Sequence, residues 1–176
     1  MTDTPRRYDT VYGTLTLRPE RADDDPFLFS LFCSHAGRQL EQSALPAAAV
    51  ETMLDFQYRA QSGTHRKMFP DAVYSIIESD GAPIGRLIEQ DEGGCVYFVD
   101  FALVPDRQAR GLGTAFIEMV AGEWAQKGRA ARVEVFQDNA HSLKLCAKLG
   151  FVRTGESMGY VNLLRAIPPS PVPPSP

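Results

Sequence analysis

Apolar residues recur along this chain in two rhythms. Leu15-Thr16-Leu17-Arg18 alternates as a half-buried strand does, and Pro19 ends it. From Pro26 the spacing becomes helical. Phe27, Leu28, Leu31 and Phe32 share a face, Asp23, Asp24 or Asp25 can cap the start, and Gly37 is the expected end. A second helix is predicted after Leu45-Pro46, with Val50, Met53, Leu54 and Phe56 turned inward. Residues 71–78 and 84–89 read as strands joined by a turn over 79–83, and residues 90–94 turn the chain again. The run 95–104 is apolar, β-branched and aromatic, closed by Pro105, and reads as a buried central strand. Helical spacing then returns over 114–127 (Ala115, Phe116, Met119, Val120) until Gly128. A strand at 132–136, a helix at 140–149 and a last strand at 160–164 complete the order. Strand, two helices, three strands, helix, strand, helix, strand predicts a mixed α/β sheet.

The ends carry little to bury. Residues 1 to about 10 are polar and expected to be mobile, and residues 1–12 are set apart as a flexible start. Residues 167–176, rich in proline, are expected to be extended and disordered. A folded domain over 13–166 remains, and 176 residues suit one domain. A net charge of −4 argues against a general nucleic-acid binder. Cys33, Cys95 and Cys146 are spaced as neither a disulfide framework nor a metal site, so no metal is expected. With no apolar signal core near Met1 and no run of membrane-spanning length, a soluble cytoplasmic protein is expected.

The candidate chemistry starts at Gln108-Ala109-Arg110-Gly111-Leu112-Gly113-Thr114, where the central strand becomes a helix. About four N–H groups at a helix start lack internal partners and the macrodipole is positive there, which favours an anion. Glycine lets a large group approach the backbone. The stretch reads as a cradle for phosphate or pyrophosphate, or as a tight turn without ligand. It is not a Walker loop, because no Gly-Lys-Ser/Thr follows. Nor is it the dinucleotide fingerprint, because Phe116 stands where the third glycine belongs.

Gln/Arg-x-x-Gly-x-Gly after a strand resembles the acetyl-CoA pyrophosphate loop of the GCN5-related N-acetyltransferases (GNAT). Downstream, Asn139-Ala140-His141-Ser142-Leu143-Lys144-Leu145-Cys146-Ala147-Lys148-Leu149-Gly150-Phe151 resembles that family's second signature, Asn-x-x-Ala-x-x-x-Tyr-x-Lys-x-Gly-Phe. The likeness is close over residues 95–152. It implies a single-domain α/β acyl-CoA N-acyltransferase fold, a mixed, mostly antiparallel sheet flanked by helices. The implied activity is acetyl transfer from acetyl-CoA to a primary amine of a small molecule or a protein, by direct attack in a ternary complex. The protein would be a monomer or homodimer with no nucleic-acid or membrane partner.

The resemblance also implies roles for residues. Ala109, Arg110, Gly111, Leu112, Gly113 and Thr114 would hold the pyrophosphate. The backbone of Phe101, Ala102 and Leu103 would pair with the pantetheine arm and aim an N–H at the carbonyl. Asn139 would bond the cofactor arm, or serve only as a helix cap. An alkyl ammonium has a pKa of about 10.4, so a proton acceptor is wanted. Glu134 is the first candidate, with an ion-paired strand glutamate as its alternative. Asp100 is the second, with a structural carboxylate as its alternative. Cys146 stands where the family has a tyrosine thought to protonate the leaving thiolate. It is either that acid or an inert buried thiol. Gln57, Gln61 and Arg86 are candidates for the acceptor side, and His65 falls on the same helical face as the two glutamines. A non-catalytic acyl-CoA-binding or sensing module is the alternative function.

Overall fold

The computed structural model describes residues 4–40 and 45–168. Eight strands and four α-helices follow in the order β1 (Arg6–Thr10), β2 (Gly13–Pro19), α1 (Asp25–Leu40), α2 (Ala47–Met68), β3 (Val73–Ser79), β4 (Ala82–Asp91), β5 (Cys95–Leu103), α3 (Leu112–Gln126), β6 (Ala130–Phe136), α4 (Ala140–Lys148), β7 (Val152–Ser157) and β8 (Tyr160–Arg165). The strand order is β1-β2-β3-β4-β5-β6-β8-β7. The β5–β6 pair is parallel, whereas β1–β2, β2–β3, β3–β4, β6–β8 and β7–β8 are antiparallel. The sheet is mixed and mostly antiparallel with helices flanking it, as expected.

Two strands were not legible in the apolar rhythm. The first ten residues, expected to be mobile, contain β1. It pairs with β2 from Arg6↔Leu17 to Thr10↔Gly13 and buries Tyr8, whose ring meets Phe116 edge-on at 5.4 Å. One buried aromatic and the backbone ladder hold a strand whose other residues are polar. β7 is the second, exposed almost throughout. α1 runs past Gly37, the expected end, to Leu40. Before its start, Asp24 accepts from the Arg21 N–H at 2.8 Å and from both terminal nitrogens of Arg18 at 2.7 Å, bonds that close the turn ahead of the helix rather than cap α1 itself. The proline-rich residues 169–176 lie outside the described residues.

The chain forms two compact units. The first comprises residues 1–90 and 100–116, the second residues 91–99 and 117–176. In the first, Leu28, Tyr58 and Ile76 make a buried cluster against which Phe27, Phe29 and Phe32 pack. The β3–β4 turn is Asp80-Gly81, both left-handed (φ 52° and 77°), the conformation a two-residue hairpin needs. Gly85 of β4 lets β5 approach: a Cβ there would overlap the Ala102 carbonyl oxygen and stand 2.7 Å from Leu103 Cδ2. In the second unit Val96, Phe98, Val120, Ala131, Val135 and Leu163 are buried. Among the described residues, no helix is long and apolar enough to cross a membrane.

Candidate active site

The loop between β5 and α3 lies in the first unit. Ala109 is left-handed at φ 58°, unusual for a residue with a side chain, and Gly111 is left-handed at 85°. The first bond of the following helix runs from Ala115 N–H to the Gly111 carbonyl at 3.0 Å. Ahead of it, the N–H groups of Leu112, Gly113 and Thr114 make no hydrogen bond among the described residues. Those three donors lie at the positive end of a 15-residue helix, where an anion is favoured. Arg110 is exposed and forms no ion pair among the described residues.

The two glycines are not equivalent. A Cβ on Gly111 would overlap the Tyr12 hydroxyl and stand 3.0 Å from its Cζ, and the left-handed backbone resists any side chain. A Cβ on Gly113 would stand 3.4 Å from Leu103 Cδ1 and from Phe101 Cε1 and Cζ, an ordinary contact at a backbone that other residues adopt. Tyr12 was missed by sequence reasoning. It sits in the β1–β2 turn, where its N–H donates to Thr10 Oγ1 at 3.0 Å, and nothing local in the chain relates it to residue 111.

The end of β5 is braced at one atom. The Leu103 carbonyl accepts from Gln108 Nε2 at 2.6 Å and contacts His35 Nε2 at 3.2 Å. Gln108, the first residue of the loop motif, thus ties the loop to the strand. Phe101 stacks on Phe116 with ring centroids 6.0 Å apart.

Asp100 is not free. Arg86 donates to its Oδ2 from Nε at 2.8 Å and Nη2 at 2.5 Å, both side chains largely buried. To take a proton at Oδ2 the carboxylate must first release Arg86. The structure brings together Arg86, expected on the acceptor side, and Asp100, expected as a base. His65 of α2 joins them: it feels the Asp100 carboxylate and the Arg86 guanidinium, and burial pushes its pKa below the ordinary value near 6.5. Its Nδ1 is enclosed and has no hydrogen-bond partner. Gln57 and Gln61 are exposed on the same helix.

Glu134, Asn139 and Cys146 lie in the second unit. Glu134 accepts from Arg132 Nη1 at 3.0 Å, and Arg132 also grips Glu92 through Nε at 2.6 Å and Nη2 at 2.5 Å. The Arg132 guanidinium lies 3.6 Å from the Tyr97 ring centroid. Burial and then the Glu134 charge push the Tyr97 phenol up to about 12. Glu134 therefore has the ion-paired strand environment of its alternative reading, and Glu134→Gln should leave turnover essentially unchanged in a steady-state assay.

Asn139 caps α4, its Oδ1 accepting from Ser142 N–H at 3.1 Å. Asn139→Ala should lower stability by about 1 kcal/mol in chemical denaturation, the usual cost of a lost cap. Cys146 is buried, and burial pushes its thiol up to about 11. Its enclosure is the environment of the inert alternative, whereas its protonation at neutral pH is common to both readings.

A model of the acetyltransferase (GNAT) family matches residues 36–151. No curated protein matches the chain. Among solved structures it is similar to the PaiA N-acetyltransferase of Thermoplasma acidophilum in complex with coenzyme A, at 13% identity and a TM-score of 0.64, covering 86% of this chain and 98% of that one. It is similar to a ribosomal-protein-S18-alanine N-acetyltransferase of Escherichia coli at 19% identity and a TM-score of 0.59, covering 87% and 94%. A ribosomal-protein-S5-alanine acetyltransferase of Vibrio fischeri shares 15% identity at a TM-score of 0.60, covering 93% and 98%. At such identities the likeness speaks to the fold.

Proposed function

The chain belongs to the acetyltransferase (GNAT) family, and from that premise we propose that it is an acetyl-CoA-dependent N-acetyltransferase acting on a primary amine of a small molecule or protein by direct attack in a ternary complex. The observation that carries this is the β5–α3 loop, with three N–H groups at the head of α3 unpaired among the described residues and left-handed Ala109 and Gly111. That donor set fits the diphosphate of coenzyme A, and Arg110 adds charge to it. When bound, the cosubstrate supplies an acetyl thioester with an electrophilic carbonyl carbon. Gln108 and His35 fix the end of β5 so that the backbone of Phe101, Ala102 and Leu103 keeps one position towards the pantetheine arm and the acyl group. A preorganised N–H there stabilises the charge that develops on the carbonyl oxygen. Arg86, Gln57 and Gln61 serve the acceptor. The thiolate leaves without help from Cys146 and takes its proton from water. The three free cysteines suit a reducing cytoplasm.

A second reading, a non-catalytic acyl-CoA-binding or sensing module, draws on the engagement of Glu134 by Arg132 and the burial of Cys146. Two measurements separate the readings. Coenzyme A, but not ATP or NAD, should raise the melting temperature, because a ligand bound only to the native state stabilises it by mass action. Free-thiol release from acetyl-CoA should then require an amine. Stabilisation by coenzyme A with no turnover across a broad amine panel would establish the sensor instead.

A further inference from the structure

Asp100 is committed to Arg86 and Glu134 to Arg132, which leaves the reaction without a free carboxylate among the candidates named from the sequence. In the first unit His65 feels the charges of both Asp100 and Arg86, and its Nδ1 is enclosed without a hydrogen-bond partner. We propose that the His65 imidazole, set against that pair on α2, is the proton acceptor for the amine during acetyl transfer; this rests on the activity proposed above.

The ring has one usable nitrogen. Nδ1 is enclosed and unpartnered, and no bond to Nε2 occurs among the described residues, so Nε2 is the nitrogen left to meet a substrate proton or a bridging water. The groups facing the ring are Asp100 of β5, which favours the imidazolium, and Arg86 of β4, which opposes it. The next residue along the helix, Arg66, is turned to Glu20 and lies 4.5 Å from the Tyr74 ring centroid. Tyr58 donates to Asp25 at 2.6 Å and Tyr74 to the Phe69 carbonyl at 3.3 Å, and burial raises both phenols, so neither titrates near neutrality. Desolvation therefore keeps the ring neutral at pH 7, the form able to accept a proton. With Nε2 as the acceptor, the neutral ring carries its hydrogen on Nδ1, and the proton gained at Nε2 is passed on because burial disfavours the charged ring.

The step balances as follows. The amine lone pair forms the bond to the acetyl carbon, and the carbon–sulfur bond breaks with its electron pair on sulfur. The N–H proton that the new amide sheds goes to His65 and from there to water, and the sulfur takes a proton from water. Asp100 Oδ1, which no residue engages among those described, can orient the second N–H, with Arg86 as the positioning residue that holds the carboxylate.

Two readouts test the assignment. In the free wild-type protein, the His65 ring followed by NMR should titrate below pH 6.5, and the addition of a reactive amine should move its signals. In kinetics, His65→Gln should lower kcat by roughly 100-fold or more, the range for loss of general base help, with the thermal shift by coenzyme A unaltered. The amine's own ionisation gives log kcat/KM one unit of slope throughout. Wild type should show a second unit below the His65 pKa, and His65→Gln should lose it. An unmoved kcat and pH profile in His65→Gln, with amine acetylation by wild type, overturns this proposal alone, as does a ring that titrates above 6.5 and ignores the amine. A wild type that binds coenzyme A and acetylates no amine overturns the activity and this proposal with it.

Discussion

Gly111→Val should weaken coenzyme A binding by roughly 100-fold, whereas Gly113→Ala should leave it nearly intact. Residue 111 holds φ at 85°, and a Cβ there overlaps the Tyr12 phenol. A β-branched side chain must therefore leave the left-handed region, and the exposed Tyr12 side chain must swing aside to admit it. The change of backbone at residue 111 re-aims the N–H groups that follow it. Hydrogen bonds to a charged group contribute about 1.5–3 kcal/mol each, so loss of one or two at about 1.4 kcal/mol per tenfold gives the stated factor. Residue 113 has no such backbone demand, and its nearest neighbours stand at 3.4 Å. Calorimetric titration of coenzyme A into each variant, with folding checked by circular dichroism, decides. Equal losses at both positions would mean that the cradle is read wrongly.

The second large effect falls on stability. Gly85→Ala should cost about 3 kcal/mol, the upper part of the range for overpacking. The added Cβ meets a backbone carbonyl, that of Ala102, which cannot rotate away as a side-chain end can. β4 has little room to yield on its other side, where Ile77 Cδ1 stands 3.3 Å from the same Cβ and the β3–β4 register already shifts at Ile77/Glu78. The displaced residues are Ala102 and Leu103, so coenzyme A affinity should fall with stability. Urea denaturation reads the first and titration the second. A wild-type midpoint would refute the close β4–β5 approach.

Elements with a strong apolar rhythm were legible to within a few residues. α2 starts at Ala47, directly after the predicted Leu45-Pro46 signal, and the run 95–104 is β5 almost to the residue. β1 and β7 were not legible, because edge strands bury little side-chain surface and are held by ladder bonds that leave no mark on composition. Glu134 and Asp100 were named for their type and position, but whether a carboxylate is free depends on which guanidinium reaches it. Arg86 lies 14 positions from Asp100, and no local pattern joins them.

The contiguous residues alone fixed a strand, two glycines and a helix start in succession, which sets the direction of neighbouring N–H groups by short-range sterics. They also determined the family, whose signatures are contiguous. Packing alone decided that residue 85 must be glycine because β5 passes over it, that the Tyr12 hydroxyl lies against Gly111, and that His65 shares the environment of Arg86 and Asp100. Those facts join residues from separate elements, and burial, which pushes the His65 pKa down and the Cys146 pKa up, exists only once those elements have packed.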